Sequence, residues 1–153
     1  MKTIRNETDR ASLIERLNKL NGSETALWGK MNVNQMLCHC TDQLRVSLGD
    51  KDASLTQASF LGRTLLKFLV LNVISIPKNV PTSPKVDQVD GDGTPPTDFE
   101  SDRKTLITYI EKFIATPEDF AWTSHFKFGA LNKKEWAILA GKHLDHHLKQ
   151  FGV

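Results

Sequence analysis

Residues 132–151, with the sequence NKKEWAILAGKHLDHHLKQF, decide how the rest of the chain is interpreted. Asn132 and Glu135 have the spacing of a capping box, in which each side chain satisfies a free backbone N–H at the start of a helix. The residues that follow place an apolar stripe on one side and lysine and aspartate on the other. The stripe consists of Trp136, Ala140, Leu144 and Phe151. This pattern predicts an amphipathic helix that packs against a core.

Two histidines of this helix lie on its apolar side. His143 and His147 are one turn apart, so their side chains are separated by only ~40° around the helix axis. Burying two imidazoles is costly unless each ring is hydrogen-bonded or both bind a metal through their neutral form. Both interpretations remain open from the residues alone. We favour a metal, because it removes the repulsion between two protonated rings and uses the lone pairs of both.

A second helix is predicted from Asn32 to about residues 49–50, where Gly-Asp ends it. Asn32 and Gln35 again have capping-box spacing, and one apolar stripe follows, formed by Val33, Met36, Leu37, Cys40, Leu44 and Leu48. His39 lies beside this stripe, ~60° from Met36 around the axis. It is the candidate third ligand if that side faces the last helix, and a half-exposed histidine if it does not.

The two cysteines of the chain, Cys38 and Cys40, flank His39. Residues two apart on a helix point in directions ~200° apart, so the two sulfurs can neither chelate one ion with His39 nor form a disulfide. Cys40 falls on the apolar stripe and is interpreted as a core residue. The absence of a disulfide framework fits a reducing compartment, and we expect a cytoplasmic protein.

Four other polar residues are candidates for secondary roles. His146 is a second-shell residue, an alternative ligand or a surface histidine, whereas His125 is expected to line a pocket rather than to be a fourth ligand. Asp42 and Gln43 follow His39 and could tune a ligand, although Asp42 could equally face solvent.

The remaining chain predicts further helices and one long connection. Helices are expected over residues 9–20, 58–76 and 97–116, the last with a capping box formed by Thr97 and Glu100. Residues 58–76 are apolar on nearly every side, so we expect them to cover apolar surface on the bundle or between two protomers. Residues 77–96 are rich in Pro, Asp, Thr and Gly and are interpreted as a crossover loop. The architecture is therefore an all-α bundle.

Composition limits the class of protein. With 153 residues, 39% hydrophobic and 25% charged, the chain suits one globular domain over residues 1–153. The formal net charge of +2 is small and its basic residues are scattered, which argues against nucleic acid as a partner. The longest apolar stretch is too short for a bilayer-spanning helix, which needs ~20 residues, so no membrane partner is expected.

At this point the sequence resembles a known family. WGKM at residues 28–31, QMLCH at 35–39 and HLDHHLKQF at 143–151 are similar in order and spacing to the DinB/YfiT-like superfamily, and more narrowly to a branch with the layout WGKM…QMLxH…HLDHHLxQF. The resemblance also takes in residues 77–84 and 126–131, and so covers nearly the whole chain. It implies a DinB-like four-helix bundle with up-down-down-up connectivity, to which the apolar helix is an addition.

The resemblance also implies a site and a chemistry. The ligands would be His39, His143 and His147, the metal zinc or nickel, and the protein a homodimer. Related enzymes transfer low-molecular-weight thiols, so the expected function is a metal-dependent transfer of such a thiol to an electrophilic small molecule. The alternatives are a metal-dependent hydrolase and a non-catalytic, stress-related binding bundle. An open three-ligand site is typical of a catalytic metal.

Overall fold

The computed structural model describes residues 2–53 and 59–153, and this part of the chain is helical without β-strands. Its α-helices are α1 (Glu7–Lys19), α2 (Val33–Ser47), α3 (Lys67–Asn72), α4 (Phe99–Ala115) and α5 (Lys133–Gln150). A π-helical turn, Gly62–Leu66, leads directly into α3, and a 3-10 turn, Pro84–Val86, lies in the long connection. The all-α class predicted from the sequence is confirmed.

The helix caps explain where most of these elements begin. Both capping boxes that open the two histidine-bearing helices are present, Asn32 with Gln35 and Asn132 with Glu135. The one predicted for α4 is wrong, because Asp98 rather than Thr97 accepts the hydrogen bond from the Ser101 backbone N–H. Thr97 instead donates through both its N–H and its hydroxyl to the carboxylate of Asp102.

The core lies where α2 and α5 meet their neighbours. α2 packs against α4 and α5, α1 packs against α5, and α3 also lies on α5. Most of the fully buried large side chains come from α1, α2, α4 and α5, and they include Leu13, Met36, Leu37, Ile110, Phe113, Trp136 and Leu148. The apolar stripes predicted for α2 and α5 therefore face the interior. His39, His143 and His147 point towards the interior with them.

Residues 59–76 are less buried than their uniform hydrophobicity predicts. Val70 and Leu71 are buried, but Phe60 is 83% exposed and Phe68 is 58% exposed. The segment thus packs against α5 with one side only and leaves the other side uncovered. Residue 58, where the predicted helix was expected to begin, lies outside the described residues. No helix in the described part of the chain is long and apolar enough to cross a bilayer.

Candidate metal centre

Three histidines from two helices meet inside the molecule. The Nε2 atom of His143 lies 3.1 Å from Nε2 of His39 and 3.1 Å from Nε2 of His147. One ligand atom from each of the three falls within 4.8 Å of the others. The sequence-predicted ligand set is therefore brought together, and His39, which the sequence allowed to be half-exposed, is buried.

The ring of His39 is oriented by the long connection. Its Nδ1 lies 2.7 Å from the carbonyl oxygen of Val86 and 3.1 Å from Oε1 of Gln88. Because a carbonyl oxygen only accepts, Nδ1 must carry the proton and donate it. The neutral ring then has its lone pair on Nε2, which faces the other two histidines.

The ring of His147 is oriented in the same way by its own helix. Its Nδ1 lies 2.7 Å from Oε1 of Gln150, and the amide nitrogen of Gln150 donates to the carbonyl oxygen of Trp28 at 2.6 Å. Gly29 follows with a left-handed backbone, φ +81°, and a Cβ there would lie 2.7 Å from Nε2 of Gln150. The turn around Trp28 and Gly29 therefore fixes Gln150, which fixes the proton of His147 on Nδ1 and leaves the lone pair on Nε2.

His143 lies between the other two and has a different environment. Its Nδ1 is buried and has no hydrogen-bond partner within the described residues. A cavity of about 10 Å³ adjoins it, and Gln43 forms part of the same cavity wall. Gln43 is half-buried, and its side chain makes no hydrogen bond to residues 2–53 or 59–153.

The electrostatics keep all three rings neutral. Burial lowers the pKa of His39, and the pKa values of His143 and His147 fall well below the usual histidine value, mainly through burial and also because the rings would repel one another when charged. Each imidazole is therefore available as a lone-pair donor near neutral pH.

The donor set fits a divalent transition metal. Nitrogens that bind one such ion at ~2.1 Å, with angles of about 90–110° between them, are roughly 3.0–3.4 Å apart. The two 3.1 Å separations at His143 lie in this range. Two inward lone pairs, each fixed by a hydrogen bond on the opposite ring nitrogen, are the usual arrangement for metal-binding histidines.

Asp42 anchors the connection that orients His39, and the prospect that it faces solvent is wrong. Its side chain is fully buried and accepts hydrogen bonds from Arg45, Lys51, Gln88 and Thr94, the last through both its backbone N–H and its hydroxyl. Since Gln88 also contacts His39, a continuous chain of hydrogen bonds runs from the carboxylate to the His39 ring.

A cavity of about 570 Å³ opens beside the three histidines, which form part of its wall. Residues of α2, α3 and α5 contribute to the wall, as do the connection that follows α3 and the loop before α5. This volume lies within the range of pockets that enclose small organic ligands. The site thus combines a nitrogen donor set with space for a molecule next to it.

The other candidate residues fall outside the donor set. His125 lines the cavity as expected, but its Nδ1 accepts from the backbone N–H groups of Lys127 and Phe128. His146 is half-buried, also lines the cavity, and lies edge-on to the Trp28 ring with the centroids 5.6 Å apart. Cys38 and Cys40 are both buried and unbridged.

The thiols are poor ligands where they lie. Burial raises the pKa of Cys38 to about 12, helped by the Asp102 carboxylate, and raises the pKa of Cys40 as well. Cys40 contacts the sulfur of Met36 within the core. Both thiols remain protonated, and neither belongs to the cluster of ligand atoms formed by the three imidazoles.

Sequence reasoning missed the residues that orient the histidines. Gln150 carried a usable signal, because it lies three residues after His147 on the same helix and can therefore reach it. Gln88 and the Val86 carbonyl lie in an irregular connection about fifty residues from His39, and no sequence spacing points to them.

Comparison with known proteins gives one finding. A family model described as "Protein of unknown function (DUF1569)" matches residues 5–152. No curated protein and no solved structure matches the chain.

Proposed function

We propose that this chain, which belongs to the DUF1569 family of proteins of unknown function, binds one divalent transition metal through His39, His143 and His147 and uses it on a small molecule held in the adjoining cavity. The observation that carries the proposal is the convergence of three Nε2 atoms, two of them with lone pairs fixed inward by Val86, Gln88 and Gln150. Zinc or nickel suits a site of neutral imidazoles.

A metal in this site would supply Lewis acidity, which lowers the pKa of a thiol or a water molecule beside it. The residues of the chain would hold the ion and orient its ligands. The three imidazoles hold the ion, and Gln88 and Gln150 keep the rings in the ligating tautomer. The cavity walls present a mainly apolar surface beside the histidines.

The reaction we propose is the transfer of a low-molecular-weight thiol to an electrophilic small molecule, as the resemblance to DinB/YfiT-like proteins suggests. In such a transfer the thiol loses its proton, the sulfur forms a bond to an electrophilic carbon, and that carbon's bond to its leaving group breaks, so that the leaving group departs with the electron pair and the released proton balances its charge. The proposal includes the DinB-like four-helix bundle with up-down-down-up connectivity. Both buried cysteines are protonated, so a bound thiol rather than a cysteine of the chain is the nucleophile.

Metal content tests the binding step. The protein, purified without a histidine tag, should contain close to one equivalent of metal by elemental analysis. His39→Ala, His143→Ala and His147→Ala should each lose most of it, whereas His146→Ala, a neighbour on the same helix, should retain it. Full retention in all three ligand variants would overturn the proposal.

Activity assays separate the reactions. Metal-loaded protein should accelerate the reaction of several biological thiols with a generic electrophile, compared with metal-free protein. Hydrolysis of an ester or amide without any thiol-dependent rate would replace the transferase with a hydrolase. Metal binding without either reaction would favour a non-catalytic binding protein.

We also propose that a second copy of the chain covers the uncovered side of residues 59–76. Phe60, Leu61 and Phe68 are more than half exposed, and monomeric proteins rarely leave contiguous apolar surface of this kind in water. Sedimentation should give the mass of a dimer, and Phe68→Ser should shift it towards the monomer. A monomeric wild-type protein would contradict this.

A further inference from the structure

We infer that the cavity beside the histidines takes a predominantly apolar small molecule with a single polar head group. The inference rests on the proposed function for the position of that head, next to the three Nε2 atoms. Its size follows from the volume of about 570 Å³, which lies in the middle of the range for pockets that enclose drug-sized ligands.

The chemical class follows first from the walls. Much of the lining is aliphatic or aromatic, and it includes Leu66, Val70, Ile74, Ile76, Phe126 and Phe128. A hydrocarbon portion of a ligand would leave water for these surfaces, and each buried methylene would contribute favourably to binding.

The second argument for an apolar ligand comes from the charged residues of the wall, because each of them already has a partner. Lys30 pairs with Asp90, and the Asp87 carboxylate accepts from the backbone N–H groups of Val89 and Asp90. The ammonium of Lys127 donates to the Pro81 carbonyl oxygen.

A ligand with several charges would therefore lose its hydration without gaining a free charged partner, and the uncharged polar side chains of the wall, including Gln43, Asn79 and Thr82, are few beside its apolar residues. Sugars, nucleotides and peptide-like thiols carry more polar groups than these side chains can satisfy, so they fit the interior of this cavity poorly. In the proposed transfer, the apolar molecule in the cavity is the electrophile, and a polar thiol would have to approach from the opening.

A series of ligands tests this directly. Straight-chain hydroxamic acids from two to eight carbons carry one constant metal-binding head, and their affinity for zinc-loaded protein can be measured by calorimetry. We expect affinity to rise about fourfold per methylene until the cavity is filled. Leu66→Gln, in the wall, should weaken the longest acid severalfold and leave the shortest unchanged. Leu65→Gln is the matched control, because Leu65 does not line the cavity and is 54% exposed.

Primary alcohols of the same lengths, added to metal-free protein, separate the two proposals. If their affinity rises with length but zinc does not bind, the apolar class stands and the metal function fails. If zinc and the short hydroxamate bind but neither series depends on length, the metal function stands and this inference is overturned.

A second observation points to Gln43 as the positioning residue of His143, acting through one buried water. The Nδ1 atom of His143 is buried without a partner, the Gln43 amide is also unpartnered among the described residues, and both residues border the cavity of about 10 Å³. That volume is near the smallest that holds a water, and water in such places bridges polar groups that otherwise lack partners. Gln43 would then do for His143 what Gln88 and Gln150 do for the other two ligands.

Zinc affinity and the ring proton of His143 test this role. Gln43→Leu should weaken zinc binding roughly 10- to 100-fold and shift the Nδ1–H signal of His143 in NMR spectra of zinc-loaded protein, whereas Gln43→Glu should restore most of the affinity. Unchanged affinity in Gln43→Leu would overturn the assignment. So would a loss of affinity without any change in the Nδ1–H signal, because that result would reflect packing alone.

Discussion

Helix α5 and residues 60–72 are both strongly apolar, yet the structure treats them in opposite ways. α5 begins with a complete capping box and buries side chains over most of its length, including Trp136 and Leu148. Residues 60–72 begin with a single cap contact, in which the Ser59 hydroxyl accepts from the Gly62 backbone N–H, rather than a capping box; they include a π-helical turn and leave Phe60 largely exposed. Periodic spacing of apolar residues therefore predicts burial, whereas total hydrophobicity does not. Of the three proposed metal ligands, His143 and His147 lie on α5, and the cavity wall includes residues of both regions.

The sharpest test of this contrast compares two leucines. Leu148→Ala, at a fully buried position of α5, should lower the free energy of unfolding by about 3 kcal/mol, because it removes packing and leaves a cavity. Leu65→Ala, at a site 54% exposed, should change it by less than about 0.5 kcal/mol. Urea denaturation of both variants measures the difference, and equal losses would mean that residues 60–72 are packed as tightly as α5.

The next test concerns the connection that closes the site on the α2 side. Asp42→Asn should destabilise the protein by about 2 kcal/mol, because Arg45, Lys51 and Thr94 lose a charged acceptor in a buried place. It should also weaken zinc binding, since Gln88 loses its anchor. Glu24→Gln is a suitable control, because among the described contacts Glu24 accepts from the nearby backbone N–H groups of Asn21 and Gly22 and from no charged side chain. A stable Asp42→Asn variant with unchanged zinc affinity would show that the connection is held by other contacts.

The pH dependence of the free energy of unfolding tests whether the well-packed region extends to the loop before α5. Burial lowers the pKa of His125 to about 3. This imidazole therefore takes up a proton near pH 6.5 in the unfolded chain, whereas in the folded protein it stays neutral at that pH. Stability is therefore complete above pH 6.5 and falls as the pH drops from there towards 3. This residue alone should account for about 1 kcal/mol between pH 6.5 and 5.5. In metal-free protein, His125→Phe should reduce the pH dependence by that amount, and an unchanged profile would place His125 in contact with solvent.

The smallest effect on the site is expected from the cysteines. Cys38→Ser combined with Cys40→Ser should leave the metal content unchanged, because both thiols are protonated and neither belongs to the cluster of ligand atoms. Elemental analysis together with circular dichroism would check this. A folded double variant without metal would contradict the three-histidine assignment.

Much of this arrangement could be predicted because it depends on local patterns. The spacing of His143 and His147 on an apolar stripe, and the caps Asn32 and Asn132, are properties of single helices. Each of them fixes a helix start or a helix side without any knowledge of distant contacts. His39 was harder, because only the packing of α2 against α5 decides that its flank is interior.

The contacts that the sequence did not reveal are long-range and irregular. Asp42 resembles any surface carboxylate until Lys51, Gln88 and Thr94 surround it. The carbonyl of Val86 orients His39 through a backbone oxygen. Every residue has such an oxygen, so the sequence does not indicate which one will contact the ring. Which side of residues 60–72 is exposed also depends on how the segment packs against α5, and the uniform hydrophobicity of the segment does not reveal this. The single-domain organisation over residues 1–153 remains a prediction from length.

The tight turn at Gly29 has an evolutionary consequence. Its left-handed backbone favours glycine, and any side chain there would press on the amide of Gln150, which could move only by releasing Trp28 and His147. Natural variation at position 29 should therefore be coupled to the proposed metal-binding residues more than 110 positions later in the chain. Among related sequences, we expect those that replace this glycine to have replaced Gln150 or His147 as well, so that one small residue marks which lineages have kept the centre.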